Sequence, residues 1–477
     1  MTTGDLLTLA PLIALALSPV VVMLAAAFAR SHALALALTL LGLGITFGTL
    51  FVSAGREPHQ VTPLLLLDTF SLFMIGLIVV ATAIVALLSW GYLRQGRVHP
   101  EEYYVLLLTA TLGAATLAAS TQFATLFLGL EILSVSLYAL IAYPLAREEF
   151  IEAAIKYLVL AGATSAFLVF GMGLVYAETG TMTLAAVMPF LSAQSPDGGV
   201  LVATGLVMIF GGLGFKLAVV PLHMWTPDIY QGAPAPVSAY IATVSKGAVL
   251  ALLVRAFAPV SLEQSGSIFL VLAAVAVASM VAGNLLALRQ ENVKRVLAYS
   301  SIANMGYVLV AFLATGERAT AAVTLFLVAY VASSLAAFGV VTVLSTGARD
   351  AERLDDYFGL AARRPWLAAV LTVSLFSLAG IPLTLGFVGK FFVVTAGTGA
   401  ALWTLVIVLV LTSTVGLYYY TRIIVAMYVQ RAVDEARMVR AALAGVALAA
   451  LTVFVLAAGV YPGPLIRLVE WAVATLH

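Results

Sequence analysis

Val200-Leu-Val-Ala-Thr-Gly-Leu-Val-Met-Ile-Phe-Gly-Gly-Leu-Gly-Phe-Lys216-Leu-Ala-Val-Val-Pro221 is an apolar run long enough to cross a bilayer, with one lysine near its end and a proline closing it. It continues into Leu222-His223-Met224-Trp225-Thr226-Pro227-Asp228 and then Gln231-Gly-Ala-Pro234-Ala-Pro236. Proline removes a helix hydrogen bond, so the run reads as a broken membrane helix beside an ionisable group. Residues 379–390 repeat the pattern: Ala379-Gly380-Ile-Pro382-Leu-Thr384-Leu-Gly386-Phe-Val-Gly389-Lys390 sets three glycines and a proline inside an apolar run, again beside a lysine. Each run is expected to form two half-helices with freed carbonyls, which a membrane tolerates only against protein or a wet cavity.

The remainder of the 477 residues calls for the same solvent. The chain is 63% hydrophobic and 9% charged, against about half apolar and a quarter charged for an ordinary soluble domain. A soluble fold is excluded. At about 20 residues per crossing, roughly 300 apolar residues cover about 14 spans. The apolar runs fall at 7–29, 33–54, 66–92, 103–119, 121–143, 151–177, 200–221, 237–257, 266–288, 293–314, 320–345, 365–393, 402–428 and 440–462. The fold class is therefore an all-α polytopic membrane protein of about 14 transmembrane helices, with helices 7 and 12 discontinuous. Residues 1–477 form a single integral membrane domain. Within it, 1–100 carry three N-terminal spans, 101–260 and 261–430 five spans each, and 431–477 the last. Only Asp5 precedes the first span, with no basic leader, so that span is expected to be a retained helix.

Loop charges give an orientation. If the N-terminus faces out, the inner loops hold Arg30, Arg94, Arg97, Arg147, Arg289, Lys294, Arg295, Arg349, Arg353, Arg363, Arg364, Arg431, Arg437 and Arg440, and the outer segments only Arg56, Arg255, Arg318 and Arg467. Fourteen basic residues against four place both termini outside. The net charge of +1 argues against nucleic acid as a partner. With no cysteine the chain cannot ligate an iron–sulfur cluster. Of the histidines His32, His59, His99, His223 and His477, no pair sits a helical turn or two apart inside a span, as a haem between helices would require. The chain is expected to carry no electrons itself.

An internal repeat is visible. Tyr138–Tyr143 echoes Tyr307–Phe312, Leu160–Gly171 echoes Val328–Gly339, and Leu213–Phe215 echoes Leu385–Phe387, in the same order at offsets of 168 to 172 residues. The shared offset lays spans 4–8 over spans 9–13. Five is odd, so the second copy enters from the opposite side, giving two inverted five-helix repeats, a transporter architecture.

The charges inside spans carry the chemistry. Four of the five lysines, Lys156, Lys216, Lys246 and Lys390, lie in apolar runs, with Glu131 the only carboxylate near the middle of one. At about 2.5–3.5 kcal/mol each, four buried lysines cost on the order of 10 kcal/mol. Burial disfavours the ammonium and a nearby carboxylate favours it, so a lysine whose partner is engaged or released becomes a switchable proton site. At about 5 Å and an effective dielectric near 20, Glu131 and one lysine would couple by about 3 kcal/mol. Ser238, Thr243, Ser245, Ser300, Ser301, Asn304, Ser377 and Thr384 offer hydroxyls and an amide for onward transfer. The plainer reading of each charge is a fixed ion pair or a snorkelling chain, and it weighs most for Lys156, near the inner face and one turn from Glu152. His223 reads first as a packing or hydrogen-bonding residue of the break, Arg422 as interfacial, and Lys294 and Arg295 as inner-loop anchors. Gly386…Gly389-Lys390 is not a phosphate loop, because Phe391 holds the Ser/Thr position. Gly44 and Gly48 have only helix-packing spacing, and the charged stretch 349–364 reads as a solvated connection, with a docking surface as the alternative reading.

Taken together, Glu131 in Phe-Leu-Gly-Leu-Glu-Ile-Leu-Ser, Ala-Ile-Lys156-Tyr, Gly-Phe-Lys216 with Pro221-Leu-His-Met-Trp-Thr-Pro-Asp-Ile-Tyr-Gln-Gly-Ala-Pro-Ala-Pro-Val-Ser238, Ser245-Lys246 and Ala-Gly-Ile-Pro-Leu-Thr-Leu-Gly-Phe-Val-Gly-Lys390-Phe resemble the antiporter-like membrane subunits of respiratory complex I, the NADH–quinone oxidoreductase. The likeness spans about residues 65–430, and the length and span count fit the subunit N branch. It implies a proton-translocating module in a bacterial inner membrane, partnered by lipid, protons and the other membrane and peripheral subunits. NAD, FMN, iron–sulfur clusters and quinone are then expected on those other subunits and no cofactor or metal on this one. It also implies that Glu131 and Lys216 form the acid–lysine pair, that Lys246 is the central relay and Lys390 the terminal lysine, with Lys156 and His223 as further candidates. The sequence departs from the family at Asn304, where relatives often carry histidine, so water would have to bridge there. Two other readings stay open: a subunit of a multi-subunit sodium–proton antiporter, and a structural subunit whose buried charges only fix helix register.

Overall fold

A computed structural model describes residues 3–54, 59–94, 99–143, 147–187, 199–258, 266–346, 349–429 and 442–476. Arg56, Arg97, Arg431, Arg437, Arg440 and His477 lie outside the described residues. The first part comprises α1 (Thr3–Thr8), α2 (Ala10–Phe28), α3 (His32–Ala54), a hairpin of β1 (His59–Thr62) and β2 (Leu65–Leu67), α4 (Thr69–Leu93), α5 (Pro100–Ala118), α6 (Phe123–Ala142), α7 (Glu148–Thr179), α8 (Leu184–Val187) and α9 (Gly199–Leu217). Then come α10 (Trp225–Gly232), α11 (Ala235–Tyr240), a π-helical turn (Ile241–Ser245), α12 (Lys246–Phe257), α13 (Gly266–Leu288), α14 (Val293–Leu313) and α15 (Glu317–Leu344). The chain closes with α16 (Leu360–Arg363), α17 (Pro365–Ala379), α18 (Leu385–Gly399), α19 (Trp403–Tyr428), α20 (Ala442–Val460) and α21 (Gly463–Val473).

Among the described residues, 12 helices are long and apolar enough to cross a membrane, counting Ala235–Phe257 as one. The 15-residue pair α17 and α18 is shorter, and α5 carries Glu101 and Glu102 in its first turn. Each apolar run of the sequence thus has a helix or a pair of half-helices over it. At 1.5 Å per residue, 20 residues match a hydrocarbon layer of about 30 Å.

Local chemistry sets the ends. Asp68 caps α4 reciprocally with Ser71 (Ser71 N to Asp68 Oδ1 2.8 Å, Asp68 N to Ser71 Oγ 2.9 Å). Asn292 caps α14 through the Arg295 amide, and Pro365 opens α17 where no amide is needed. The hairpin pairs His59 with Leu67 and Thr62 with Leu65, and Leu65 bridges Ser120 ahead of α6. Ser53 Oγ donates to Thr8 O, and Thr69 Oγ1 to Ala472 O, so both described chain ends lie at the hairpin end of the bundle.

Helices α11, α12, α14 and α15 form the centre and are buried almost throughout. Around them α2, α3, α7, α13 and α19 turn out large apolar side chains such as Phe51, Val159, Phe167, Phe170 and Leu411. Hydrocarbon solvates such a coat, and water does not. Where α7 meets α9, a Cβ on Gly171 would stand 2.5 Å from Gly205 O, so the close crossing needs glycine.

Both expected breaks are present, with shifted edges. The seventh run stops at Leu217, where Ala218 takes a positive φ of 63°, and resumes as α10. The twelfth stops at Ala379 with Gly380 at φ 85° and resumes as α18, six residues beyond the expected 393. The first two echoes of the repeat sit alike: Tyr138–Tyr143 and Tyr307–Phe312 near the ends of α6 and α14, and the glycine-ended segments inside α7 and α15. The third does not, since Leu213–Phe215 lies before its break and Leu385–Phe387 after its own. The π-helical turn ending at Ser245 was not anticipated, because Ile241-Ala-Thr-Val-Ser245 contains neither glycine nor proline.

Candidate functional site

Lysines 216, 246 and 390 sit where helices α9, α12 and α18 are interrupted. Lys216 is in the last turn of α9, Lys246 directly follows the π-helical turn, and Lys390 is in the second turn of α18. A helix interruption frees backbone groups, and side chains take them up here. Trp225 Nε1 donates to Phe215 O at 2.9 Å, Ser238 Oγ to Tyr230 O at 2.8 Å, and Lys390 Nζ to Ala379 O at 2.8 Å. In the reverse sense, the Val220 amide donates to Ser279 Oγ and the Gly386 amide to Ser377 Oγ.

Buried Lys216 donates to Ser134 Oγ at 2.7 Å and Tyr157 Oη at 3.3 Å, with Nζ 5.0 Å from the centre of the Tyr157 ring. Glu131 stands on α6 one turn before Ser134 and accepts from Ser165 Oγ of α7 at 2.6 Å. Lys216 of α9 thus reaches α6 one turn from Glu131, but among the described residues the acid and the lysine form no direct ion pair.

Lys246 is fully buried and donates to Ser301 Oγ at 2.6 Å, and Ser301 Oγ meets Tyr330 Oη at 2.5 Å. Lys390 also donates to Ser413 Oγ at 2.7 Å and lies 5.0 Å from the centre of the Tyr307 ring. From Tyr307 a polar run continues through Asn284 Nδ2 (2.8 Å) to Tyr419 Oη, which donates to Asn284 Oδ1 at 3.1 Å. Next to Tyr419, Tyr420 meets Ser300, and Ser300 accepts from Asn304 Nδ2. Asn304, Tyr330, Ser333, Ser377, Gly386 and Lys390 surround a small hollow, the size of about one water. Ser333 and Ser377 share a bond of 2.7 Å on its wall.

Two candidates stand apart. Lys156 is 48% exposed and paired with Glu152 at 2.6 Å, on the rim of a pocket of about 310 Å³ that Arg147, Asp228 and Asp350 also line. His223 is buried in the segment between α9 and α10, and its Nδ1 has no hydrogen-bond partner among the described residues.

Other charges differ from their sequence reading. Lys294 is not a loop anchor: it is fully buried and donates to Gln231 O, to Ala233 O at 2.6 Å and to Asp350 Oδ2 at 2.7 Å. The stretch 349–364 is accordingly not all solvated, because Asp350 is 4% exposed and also accepts from Tyr92 Oη. Arg255 is buried in a two-pronged pair with Asp68 at 2.8 and 2.7 Å and reaches Ala118 O. Burial pushes the Asp68 carboxyl up, but the Arg255 guanidinium and the Ser71 bonds outweigh it and hold Asp68 below the usual carboxylate range. Arg422 donates to the carbonyls of Leu288 and Gln290 at the end of α13. Tyr157, Tyr330, Ser134, Ser165 and Ser413 escaped the sequence reading. Their signal was only a hydroxyl in an apolar run, which many helix-facing serines and threonines share.

The chain as a whole is similar to known proteins over nearly all of its length. Residues 120–416 match the transmembrane family described as NADH:quinone oxidoreductase/Mrp antiporter. The protein named NADH-quinone oxidoreductase subunit N from Nitrosospira multiformis is 52% identical over 98% of this chain and 96% of its own length. That from Methylococcus capsulatus is 47% identical over 98% and 95%. Among solved structures, a chain of respiratory complex I from Thermus thermophilus with bound aureothin superposes with a TM-score of 0.82 at 32% identity, over 96% of this chain and 98% of that one. The chain belongs to the NADH:quinone oxidoreductase/Mrp antiporter transmembrane family, within its subunit N members.

Proposed function

We propose that this chain is the proton-translocating, antiporter-like subunit of a NADH–quinone oxidoreductase, passing protons across the membrane while electrons move on other subunits. The observation that carries the reading is the row of Lys216, Lys246 and Lys390, each bonded to a hydroxyl at an interrupted helix. An ammonium held by hydroxyls and no carboxylate has no fixed counter-charge, so releasing its proton breaks no ion pair. Glu131 and Lys216 form the input couple, working through Ser134 and Ser165 as go-betweens. Lys246 is the central relay, passing protons through Ser301 and Tyr330 to the hollow beside Asn304, and Lys390 is the exit lysine. Lys156, ion-paired on a polar pocket, serves as an antenna at the end opposite the hairpin, and His223 is a positioning residue of the break. The subunit acts within a translocase of the bacterial inner membrane, with both termini outside and with the cofactors on its partners.

The inverted repeat belongs to this proposal: α5 and α13 open the two units from opposite ends of the bundle, with 101–260 and 261–430 as its halves. Glu131→Gln and Lys216→Met in the assembled enzyme should each cut NADH-driven proton pumping in inside-out vesicles while the complex still assembles. Undiminished pumping in both variants overturns the assignment. The family also names cation/proton antiporters. A sodium-dependent pH change in vesicles free of NADH dehydrogenase would favour that reading.

A further inference from the structure

At the hairpin end, α3, α4, α15, α20 and α21 enclose a hollow of about 600 Å³ that none of the lysines touches. Its lining side chains are aliphatic or aromatic, with the indole N–H of Trp471 the one polar side-chain group among them. We propose that it is a binding site for an acyl chain of a phospholipid from the leaflet on the hairpin side.

Depth argues for this occupant. The hollow follows α4 from Leu72 to Ile84, about 18 Å at 1.5 Å per residue. Half of a hydrocarbon layer of about 30 Å is about 15 Å, so the hollow spans one leaflet and stops near the midplane. The lateral opening is flanked by exposed Phe51, Val80 and Phe454, so a chain enters sideways from the bilayer. At the interfacial end α21 forms the roof: Leu468 and Trp471 line the hollow, while Arg467 and Glu470 are exposed. Tryptophan at that depth is an interface anchor, and a headgroup stays outside beside it. A volume of about 600 Å³ suits a ligand of lipid size. A quinone head drawn inside would lose most of its hydrogen bonds, since Trp471 at the roof carries the one side-chain donor of the lining and the walls below it carry none. Val331 and Leu335 form the inner wall on α15, the helix whose Tyr330 and Ser333 serve the lysine row.

The test uses the assembled enzyme in vesicles of phosphatidylethanolamine and phosphatidylglycerol, with a trace of phosphatidylethanolamine carrying a diazirine midway along one acyl chain. Val331 and Ala332 are buried from the outer surface, so photolabelling of 328–335 reports a chain inside the hollow, with lipid-facing Phe167 and Phe170 as the control. Val80→Trp and Leu468→Trp, both at exposed wall positions, add bulk to the hollow and should each lower labelling of 328–335 by about fivefold or more, leaving the control unchanged. The proposal is overturned if wild-type 328–335 is unlabelled, if neither variant lowers its labelling, or if added isoprenoid quinone displaces the label.

Discussion

Lys246 donates to Ser301 Oγ at 2.6 Å, and Tyr330 Oη meets the same oxygen at 2.5 Å. One hydroxyl therefore holds a buried ammonium on one side and a phenol on the other. A serine hydroxyl can accept and donate at once, so the trio is a continuous hydrogen-bonded link between α12, α14 and α15, and under the proposed function a short proton bridge. The π-helical turn ahead of Lys246 sets its angle, and such turns recur at functional sites.

Ser301→Ala removes the bridge and keeps the helix. A hydrogen bond to a charged group contributes about 1.5–3 kcal/mol, so proton transfer through this step should slow about tenfold or more. Electron transfer to an artificial acceptor upstream should be unaffected. A pH-sensitive dye in inside-out vesicles, read beside NADH oxidation, checks both, and unchanged pumping would remove Ser301 from the path. Ser301→Thr keeps the hydroxyl and should retain most of the activity.

Asp68 and Arg255 make the one two-pronged buried ion pair among the described residues, joining the start of α4 to the end of α12. Asp68→Asn leaves the guanidinium buried without its counter-charge and should cost about 3–5 kcal/mol. Replacing both partners by leucine should restore most of that. Because the folded Asp68 carboxyl is held below its ordinary value, the pair's stability is fully present above the unfolded value near pH 4 and fades as pH falls through the folded one. Thermal unfolding in detergent from pH 7 downward checks the sign: the wild type should lose this contribution with acid, and the double-leucine variant should show a flatter profile.

The two breaks and the three central lysines were legible because proline, glycine and lysine are rare in apolar runs and each carries a known cost. The π-helical turn was not, since Ile241–Ser245 has ordinary composition and its cause is tertiary. Lys294 and Asp350 were misread for a related reason. They are adjacent to loops in sequence, and only the packing of α10 against α14 shows that the loop folds inward over them. Hydroxyl partners such as Tyr157 and Ser413 were hidden because an apolar helix can turn a lone hydroxyl to its own backbone as readily as to a neighbour.

Lys294 ties the end of α10 to Asp350 by donating to both Gln231 O and Ala233 O. Lys294→Met should leave those carbonyls unmet and Asp350 with Arg147 at 3.8 Å and Tyr92. Amide hydrogen exchange across 225–233 should quicken by about tenfold or more, as local opening becomes easier by over 1 kcal/mol. Lys294→Arg should recover part of the protection. Equal exchange in Lys294→Met and wild type would show that the clamp does not hold this half-helix.

Gly386 opens α18 where that half-helix leans against the end of α17. A Cβ there would stand 1.8 Å from Ser377 O, and the Gly386 amide itself donates to Ser377 Oγ at 3.0 Å. Gly386→Ala must push the half-helices apart, which overpacks the break by about 1–3 kcal/mol or more and displaces Ser377 from Ser333 on the wall of the hollow near Lys390. Gly44→Ala is the matched control, because its added methyl meets nothing within 4 Å and alanine favours helix by up to about 1 kcal/mol. The expected pair of outcomes is a lower unfolding temperature and weakened pumping for Gly386→Ala, against an unchanged or higher unfolding temperature and normal pumping for Gly44→Ala. Because the first substitution adds one methyl and removes no hydroxyl or charge, lost pumping with quinone reduction intact would assign the effect to the placing of the two half-helices around Lys390.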